Sequence, residues 1–334
     1  MGGEGLVITA PRVSVIVPVR NRRDLLGALL EALARQTLSG FEVVVVDDGS
    51  NDGSAEEANA WAARGLTLRV LRTQGVGAVG ARRLGVEASR GDVLAFTDSD
   101  CVPEPRWLAE GLAAIEAGVD VVEGATHPVR EMRAFEHAVR AGDDGLYNTC
   151  NVFYRREAYE AAGGFDGNTG RRMGFRPGSF GRGLGFGEDT LLGWRVRRAG
   201  RAAFAPLAIV RHQVLRSSPR ETINRTWMCG GFPALVREVP ELRGALLKHR
   251  LFLGRRRVPL YVLVAALLLR RRNAALIAAA WWFAARARDV SRTNGAGHGI
   301  KRGRLLDIPV ELARDVVSAA ALLAGSAKTR TPVL

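Results

Sequence analysis

Two carboxylates stand one residue apart directly after an apolar stretch of the chain: Asp98 and Asp100 flank Ser99 at the end of the segment Asp92–Thr97. Two such carboxylates can face one divalent cation from the same turn. Hard oxygen ligands suit Mg²⁺ or Mn²⁺, which keep some of their waters and bind diphosphates. Asp-Ser-Asp is also a common turn sequence that binds no ion. The spacing alone therefore leaves a metal site and an ordinary turn both open.

Polar residues also follow two earlier apolar stretches. Pro18, Arg20 and Asn21 lie at the end of the first stretch, and the adjacent acids Asp47 and Asp48 lie at the end of the second. A carboxylate in this position can accept the imide N–H of a uracil or an N–H group of another base. A turn or a helix N-cap is the alternative for one of the two acids, because the dipeptide Gly-Ser follows them.

The elements that must position these residues alternate between strand and helix. The strand patterns are Val13–Val19, Phe41–Val46, Leu66–Leu71, Asp92–Thr97 and Val119–Val122, and the helical patterns are Asp24–Gln36, Ala55–Arg64, Ala78–Ser89 and Glu104–Ala117. Fully apolar runs such as Val43–Val46 are typical of strands covered on both faces, and this alternation favours a parallel sheet. Ligands of such α/β folds bind beyond the carboxyl ends of the strands. The three polar clusters are therefore expected to outline one site.

The segment Gly75–Gly80 (GVGAVG) matches the GxGxxG pattern of dinucleotide-binding turns, so an NAD(P)-dependent oxidoreductase is an alternative. Two features count against it. The segment lies in the third strand–helix unit, whereas the fingerprint normally opens a Rossmann half, and the acids that follow are the pair Asp98 and Asp100. Arg82 and Arg83, near the start of the helix, favour a diphosphate that is bound by charge as well as by backbone amides.

Three stretches resemble the family 2 glycosyltransferases of GT-A fold: VSVIVPVRNR, FEVVVVDDGSNDGS and GVGAVGARRLGVEASRGDVLAFTDSDC. The likeness continues, in the family's order, through four short motifs: Asn151–Arg156, Gly163–Asp166, Gly187–Asp189 and Ile209–His212. It covers about residues 11–215. It implies a GT-A catalytic domain with a Rossmann-like, mostly parallel sheet flanked by helices. Residues 11–122 would form its nucleotide-binding half and residues 123–215 its acceptor-binding half.

The resemblance implies roles on the donor side. Asp47 or Asp48 would bind the nucleotide base, with UDP favoured, and Arg82 would contact the diphosphate or hold the loop that carries Asp98 and Asp100. The residues expected to bind the donor are Pro18, Arg20, Asn21, Asp47, Asp48, Arg82, Asp98, Ser99 and Asp100. The metal ligands implied for Mn²⁺ or Mg²⁺ are Asp100, Asp98 and His212.

The resemblance also implies a catalytic base and an acceptor side. Asp189 is the favoured base, and Glu188 is the alternative, because Asp189 stands just before the helical pattern Leu191–Ala199 and can instead be its N-cap. The residues expected on the acceptor side are Gly164, Phe165, Asp166 and Trp194, although a tryptophan is more often part of the core.

These roles predict a metal-dependent hexosyl transfer from a nucleotide sugar to a hydroxyl group. A single attack by the acceptor inverts the anomeric carbon, so an α-linked donor gives a β-linked product. The other class of function is a catalytically silent protein that binds nucleotide sugars. The acceptor is expected to be a cell-envelope glycan or a lipid-linked molecule.

The segment Gly167–Gly187 is rich in glycine and arginine, whereas the family usually has a modest loop here. Such a segment cannot form a core, so it is expected to be a mobile lid or an acceptor clamp. Its arginines, Arg171, Arg172, Arg176 and Arg182, favour an anionic acceptor such as a lipid-linked pyrophosphate. An ordinary surface loop is the alternative.

The charge of the chain is concentrated after the catalytic region. Residues 1–212 carry a net charge of −1 and residues 213–334 a net charge of +15. Two 12-residue apolar runs, Val258–Leu269 and Ala274–Ala285, lie in this basic part, and each is too short to span a bilayer. Residues 216–334 are therefore predicted to be a basic helical extension. Its apolar hairpin 258–285 is expected to bind an anionic membrane through residues 255–290, and two ordinary packed helices are the alternative.

The remaining composition restricts the compartment and the class of protein. A hydrophobic content of 47% with 25% charged residues excludes wholesale disorder. Three scattered cysteines offer no disulfide framework, and the first residues show no signal-peptide pattern. The expected location is the cytoplasmic face of a bacterial plasma membrane. Nucleic acid is not expected as a partner, since the basic part of the chain is interrupted by apolar runs.

Overall fold

The structure is a computed structural model that describes residues 11–173, 186–254, 257–292 and 307–334. The chain forms two compact units. The first contains the residues up to Val129 together with Val139–Gln213, and the second contains Arg130–Ala138 together with Val214–Leu334. The second unit thus includes a short segment that the sequence assigned to the catalytic domain, because two of its residues pair with a strand that follows Gln213.

The first unit is built on an eight-stranded sheet. Its strands are β1 (Val13–Val19), β2 (Phe41–Asp47), β3 (Leu68–Arg72), β4 (Val93–Phe96), β5 (Cys101–Pro103), β6 (Val121–Pro128), β8 (Val152–Arg155) and β9 (Ala202–His212). In the second unit, β7 (Glu136–His137) pairs antiparallel with β10 (Leu215–Arg216). The large sheet has the order β3-β2-β1-β4-β8-β6-β9-β5.

The parallel arrangement predicted for the first four strands is confirmed, since β1 pairs in parallel with both β2 and β4, and β2 with β3. The other half of the sheet is mixed. β8 is antiparallel to β4 and β6, and β5 is antiparallel to β9. Strand β5 directly follows the Asp-Ser-Asp motif and had no counterpart among the predicted strands, because a three-residue strand leaves no periodic pattern.

Seven helices are described in the first unit: α1 (Arg23–Ala34), α2 (Ser54–Ala63), α3 (Gly77–Ala88), α4 (Trp107–Glu116), α5 (Arg156–Ala161), α6 (Thr169–Arg172) and α7 (Glu188–Ala199). The four helices predicted among the first strands are all present. Helix α1 shows why its sequence folds this way. Its buried leucines, 0% exposed, recur at helical spacing and belong to the same core as the valines of β1 and β2: Leu26, Leu29, Leu30 and Leu33.

Helix α3 lies close against the sheet because it has a glycine where it crosses β1. A Cβ atom on Gly85 would stand 2.6 Å from Ile16 Cγ2, so any larger residue would push the helix away. This close approach fixes the helix that carries Arg82.

The described part of the second unit is helical apart from its strand pair. Its helices are α8 (Pro219–Trp227), α9 (Phe232–Glu238), α10 (Leu242–Ala245), α11 (Val258–Leu268), α12 (Arg272–Arg292) and α13 (Ile308–Thr329). Leu260, Trp282 and Ala319 form a small core between α11, α12 and α13. The buried Arg286 and the indole N–H of Trp282 both donate to Asp315 Oδ2, at 2.6 and 2.9 Å. Among the described residues, no helix has both the length and the hydropathy needed to cross a membrane.

Candidate active site

The turn after β4 carries the motif Asp98–Asp100 and leads directly into β5. Because β5 pairs with β9, Cys101 lies opposite His212 in the sheet. Asp100 Oδ1 is consequently 3.5 Å from His212 Nε2. The backbone N–H of Gln213 also donates to the carbonyl oxygen of Asp100 at 2.8 Å. The structure therefore brings together two of the three residues expected to hold a metal.

His212 is buried, and its hydrogen bonding defines which nitrogen faces Asp100. Its Nδ1 is 2.8 Å from the backbone carbonyl oxygen of Gln213. A carbonyl oxygen can only accept, so Nδ1 carries the proton and donates it there. In the tautomer that this bond selects, Nε2 presents its lone pair on the Asp100 side. This is the arrangement by which a backbone carbonyl orients a metal-binding histidine.

The donor set at this position suits a divalent cation. The ligand atoms of Asp100, Cys101 and His212 all lie within 4.8 Å of one another. A carboxylate oxygen with an imidazole nitrogen fits Mn²⁺, and Mg²⁺ would rely more on the oxygen. Burial and the neighbouring Cys150 raise the pKa of the Cys101 thiol well above its ordinary value, so the sulfur offers only a weak ligand. The residues present thus fit a cation held by one carboxylate and one imidazole.

Asp98 is occupied by a different partner. Its Oδ1 accepts a hydrogen bond of 2.6 Å from Arg82 Nη2, and Arg82 is only 6% exposed. This differs from the expectation that both carboxylates of the motif would face one cation, because Arg82 neutralises Asp98 and holds it on the side of α3. Ser99, between the two acids, is buried.

Arg82 connects the Asp98–Asp100 turn with the acidic pair on α7. Burial acts to lower its pKa, but the ion pair with Asp98 and the charges of Glu188 and Asp189 raise the pKa overall. Its Nε is buried and has no hydrogen-bond partner in the described structure. The guanidinium thus carries one buried N–H that the described part of the chain leaves unpaired.

Helix α7 begins with the acidic pair. Its N-cap is Gly187, which has a φ of +76°, so Asp189 is not the N-cap and the alternative reading of that residue is wrong. Burial, and then the adjacent Glu188, raise the pKa of Asp189 to about 7. Burial also raises the pKa of Glu188, whose Oε2 is buried and accepts no hydrogen bond in the described structure. The pair thus holds a carboxyl group that exchanges a proton near neutral pH.

Asp47 and Asp48 are both buried at the end of β2, and their oxygens are already hydrogen-bonded. Asp47 accepts from the N–H of Ser50 at 2.9 Å and pairs with Arg72 at 3.3 Å. Asp48 Oδ1 accepts from the hydroxyl of Thr73 and from the N–H of Val76, the latter at 2.7 Å. In the structure, therefore, both acids shape the turns around the expected base-binding site.

The Gly-rich turn 75–80 cannot offer its amides to a dinucleotide, because Asp48 already accepts hydrogen bonds from them. Asp48 Oδ2 accepts from the N–H of Gly77 at 2.9 Å, and Gly75 and Gly77 have φ values of +77° and +78°. The amides that would bind a pyrophosphate in a Rossmann fold are thus held by a carboxylate of the chain itself. Arg20 extends from the next turn, with its Nη1 3.8 Å from Asp48 Oδ2. This geometry argues against the oxidoreductase alternative.

Two further donor-side residues lie beside this turn at the end of β1. Pro18 is partly buried within β1. Asn21, with a φ of +52°, donates its backbone N–H to Ser50 Oγ and accepts the N–H of Asn51 on its side chain. Together they fix the loop against the turn that follows β2.

The residues expected on the acceptor side occupy a tight turn after α5. Gly164 has a φ of +61°, and a Cβ there would stand 2.9 Å from the ring of Tyr159. Phe165 is buried against Phe96 and Tyr159, so it shapes the turn from beneath. Asp166 is partly exposed and pairs with Arg172 at 2.8 Å. Within the Gly/Arg segment, residues 174–185, including Arg176 and Arg182, lie outside the described residues.

Trp194 differs from its expected role. It is 6% exposed, and its indole N–H donates to the carbonyl oxygen of Gly145 at 2.9 Å. Its ring packs edge-on against Tyr147, and the guanidinium of Arg197 lies over it. Because a buried ring cannot stack on a sugar, Trp194 is a core residue of α7.

Sequence reasoning missed two residues of this region. Cys101 was considered only as one of three cysteines without a disulfide framework, and its place beside His212 follows from the β5–β9 pairing. Glu123 is a buried acid, 3% exposed, whose Oε1 accepts the backbone N–H of Tyr147 at 2.8 Å. Its only sequence signal is a lone acid within an apolar strand.

Comparison with known proteins gives the family. The Glycosyl transferase family 2 profile matches residues 14–181, half of the chain. The chain is 35% identical to Glycosyltransferase AglE of Haloferax volcanii over 172 residues, which cover 47% of this chain and 57% of that protein. It is 38% identical over 128 residues to the undecaprenyl-phosphate 4-deoxy-4-formamido-L-arabinose transferase of Pseudomonas fluorescens, covering 37% of this chain and 38% of that protein. The chain thus spans only about half, or less, of the length of these relatives.

A solved structure agrees with the fold. The mannosyltransferase PcManGT of Pyrobaculum calidifontis, in complex with GDP-Man and Mn²⁺, superposes with a TM-score of 0.57 at 21% identity, covering 96% of this chain and 88% of that one. This likeness supports the GT-A fold and nothing finer. With the profile match and the order of motifs around Asp98 and Asp189, it shows that the chain belongs to glycosyl transferase family 2.

Proposed function

We propose that the protein is a divalent-cation-dependent, inverting glycosyltransferase that moves a sugar from a nucleoside-diphosphate donor to a hydroxyl acceptor. One observation carries the proposal: a continuous array of charged side chains in the first unit. Asp100 lies beside His212, Asp98 pairs with Arg82, and Arg82 in turn lies in the field of the acidic pair 188–189.

The donor side of this array is suited to a diphosphate. A Mn²⁺ or Mg²⁺ held by Asp100 and His212 would stabilise the charge that develops on the leaving diphosphate. Arg82 contributes a buried positive charge with an unpaired Nε, which can donate to a phosphate oxygen. Asp98 keeps that guanidinium in place through its 2.6 Å hydrogen bond.

The acidic pair supplies the proton acceptor. Asp189, with a pKa raised to about 7, can take the proton of the acceptor hydroxyl as it attacks, and about half of it is ionised at pH 7. Glu188 acts beside it by raising its basicity. A single displacement on the face opposite the leaving group inverts the anomeric carbon, so an α-linked donor yields a β-linked product.

The donor class can be tested by thermal stabilisation with UDP-, GDP- and dTDP-sugars, each with Mn²⁺ and with EDTA. UDP-sugars are the expected donors, and GDP-mannose is included because the structural neighbour binds it. Asp100→Ala should lose the Mn²⁺-dependent stabilisation. Asp24→Ala, an exposed aspartate in the first turn of α1, should keep it. An equal stabilisation of the Asp100 variant would refute the metal assignment, and a shift with NAD(H) that ignores EDTA would refute the transferase.

We propose a lipid-linked molecule or a cell-envelope glycan as the acceptor. The relative from Pseudomonas fluorescens is named for an undecaprenyl-phosphate substrate. Arg172 pairs with Asp166 on the side expected for the acceptor, and Arg171 precedes it on α6. The test is transfer of radiolabelled sugar from the stabilising donor to a polyprenyl phosphate or to envelope oligosaccharides. A product extracted into organic solvent identifies the lipid. Water-soluble product identifies the glycan, and free sugar alone argues against both.

We further propose that the hairpin 258–285 attaches the protein to an anionic membrane at the cytoplasmic face. Large apolar side chains remain exposed on both of its helices, with Leu268, Leu276 and Ile277 each 70% exposed or more. Arg270 and Arg271 lie between the two helices and Arg272 begins α12, and residues 213–334 carry the +15 net charge. Apolar side chains next to clustered arginines are suited to the interface of an anionic bilayer.

Sedimentation with liposomes tests this attachment. The wild-type protein should sediment with vesicles that contain phosphatidylglycerol, and Leu268→Glu with Ile277→Glu should abolish it. Leu207→Glu, at a similarly exposed leucine in the first unit, should not. If the wild-type protein stays in the supernatant, the hairpin serves another surface.

A further inference from the structure

A buried carboxyl group that takes no part in the array above is joined to the acidic pair through one segment of chain. Glu123 lies on β6 and is 3% exposed. Its Oε1 accepts the N–H of Tyr147 at 2.8 Å, and the backbone N–H groups of Gly145 and Asn148 also donate to this carboxyl group. The backbone N–H groups of segment 145–148 are therefore directed at the carboxyl group of Glu123.

The carbonyl side of the same segment holds helix α7. The carbonyl oxygen of Leu146 accepts from Thr190 Oγ1 at 2.8 Å, and that of Gly145 accepts from the indole N–H of Trp194 at 2.9 Å. Segment 145–148 is thus bonded to β6 on one side and to the first two turns of α7 on the other.

The ring of Tyr147 completes the contact. A Cβ atom on Gly193 would stand 2.2 Å from the ring, so the helix rests directly on it. The hydroxyl of Tyr147 accepts from Arg197 Nη1 at 3.2 Å. Tyr147 itself has a φ of +52°, a conformation that a tyrosine rarely adopts unless surrounding contacts hold it.

Thr190 connects this support to the acidic pair. It is 2% exposed, and its backbone N–H donates to Asp189 Oδ1 at 2.8 Å. A displacement of Leu146 would move the hydroxyl of Thr190 and, with it, the carboxylate that its N–H orients. Misplacement of a catalytic group by about 1 Å can cost a factor of about 100 in rate.

We propose that Glu123 is a positioning residue for sugar transfer, which acts through segment 145–148 to hold Asp189 in the orientation in which it accepts the proton. This inference rests on the proposed function, in which Asp189 is the base. Glu123 itself does not touch the reacting groups.

The ionisation of Glu123 suggests how to test the idea. Burial and the nearby Asp144 raise its pKa to about 9, against the lowering effect of the three backbone N–H groups. Asp143, Tyr154 and Arg197 are the other titratable or charged groups of this region. The carboxyl group is thus protonated and neutral at pH 7, so glutamine reproduces its size, its charge and its accepting Oε1, and leucine reproduces only its size.

The experiment compares Glu123→Leu with Glu123→Gln in steady-state sugar transfer with Mn²⁺. Glu123→Leu should lower kcat by about 10- to 100-fold with an unchanged KM for the donor, and Glu123→Gln should restore kcat to within about threefold of wild type. The half-maximal pH of kcat, near 7 in the wild type, should move by at least half a unit in the leucine variant only. A loss of folded protein alone would lower the apparent kcat by the same factor at every pH. It would not move the half-maximal pH of kcat.

The two proposals fail in different ways. If the wild-type protein transfers no sugar from any donor, the proposed function is wrong. If it does and Glu123→Leu keeps the kcat and pH profile of the wild type, only the positioning role is wrong. If the leucine variant does not fold, Trp194→Phe decides, because it removes the indole N–H bond to the carbonyl oxygen of Gly145 and leaves Thr190 and its contacts with Asp189 in place. A kcat lowered at unchanged donor KM supports the role, and an unchanged kcat overturns it.

Discussion

Two pairs of adjacent acids in the first unit differ in whether the chain supplies hydrogen-bond partners for their oxygens. Each oxygen of Asp47 and Asp48 at the end of β2 has a partner, and the hydrogen bonds from Thr73, Gly77 and Val76 lower the pKa of Asp48 in spite of its burial. The pair Glu188–Asp189 on α7 has a buried oxygen without a partner, and burial raises the pKa of both acids. A buried carboxylate that the chain satisfies stabilises a turn. One that the chain leaves unsatisfied stays basic and can take a proton from a ligand.

The largest expected effect is a loss of activity on substitution within the pair Glu188–Asp189. Asp189→Asn should lower kcat by about 1,000-fold, because a general base contributes a factor of about 100 to 10,000. Binding of the donor with Mn²⁺ should stay largely unchanged, since the proposed role of Asp189 is to accept the proton of the acceptor hydroxyl. Glu188→Gln is the matched variant and should reduce kcat less. If it instead causes the greater loss, Glu188 is the base.

For the stability of the fold, the pair Asp47–Asp48 should matter more than the pair Glu188–Asp189. Asp48→Ala leaves the N–H groups of Val76 and Gly77 and the hydroxyl of Thr73 without their acceptor, so the free energy of unfolding should fall by about 3 kcal/mol. Urea denaturation followed by circular dichroism measures it. The exposed Asp24→Ala should change the stability by less than about 0.5 kcal/mol. Equal losses in both variants would contradict the structural role of Asp48.

Glu123 extends the comparison to a third buried acid. Its pKa of about 9 lies above the ordinary value of 4.5, so the folded protein binds one proton more than the unfolded chain between these values. Stability must therefore fall as the pH rises through that window, by about 1.4 kcal/mol per pH unit from this group. Glu123→Gln removes that dependence. The stability of the variant relative to wild type, measured at pH 7 and pH 8, should rise by this amount. A constant difference would mean that Glu123 is ionised in the fold.

The smallest effect is the pH dependence of the rate. With Asp189 at a pKa of about 7, kcat should rise about fivefold from pH 6 to pH 7 and level off above pH 8, since only the ionised carboxylate accepts a proton. Stopped assays with a saturating donor and Mn²⁺ measure the profile. A rate that is flat from pH 5 upwards would mean that the base has the pKa of an ordinary aspartate. The contrast between a raised pKa at Asp189 and a lowered pKa at Asp48 would then be wrong.

The first four strands and their helices were predictable because their signals are local. Apolar runs such as Val43–Val46 and the leucine spacing of α1 report burial directly, and β1 has the bounds that were predicted. The Asp-Ser-Asp motif, the acidic pair and His212 could be recognised as motifs. Which oxygens remain free could not be predicted, because the partners of Asp48 lie 25 to 29 residues away in the chain.

The remaining differences have the same origin. Strand β5 exists because β9 is there to pair with it, and three residues alone carry no strand pattern. Trp194 was expected on the acceptor side, yet its place on the helix turns it towards Gly145 and Tyr147. Glu123 gave no motif at all. In each case the role depends on contacts made by distant parts of the chain.

If Asp100 and His212 hold a cation as proposed, the register of β5 against β9 ties its binding to the completion of the fold. Asp100 is made early in synthesis, but His212 reaches it only after β9, the last strand of the sheet in the chain, has paired between β6 and β5. A nascent or truncated chain that ends before β9 therefore lacks the nitrogen ligand, however well its first strands have formed. Because a ligand that binds only the complete fold adds its binding free energy to folding, manganese in the cell would favour finished molecules over partial ones.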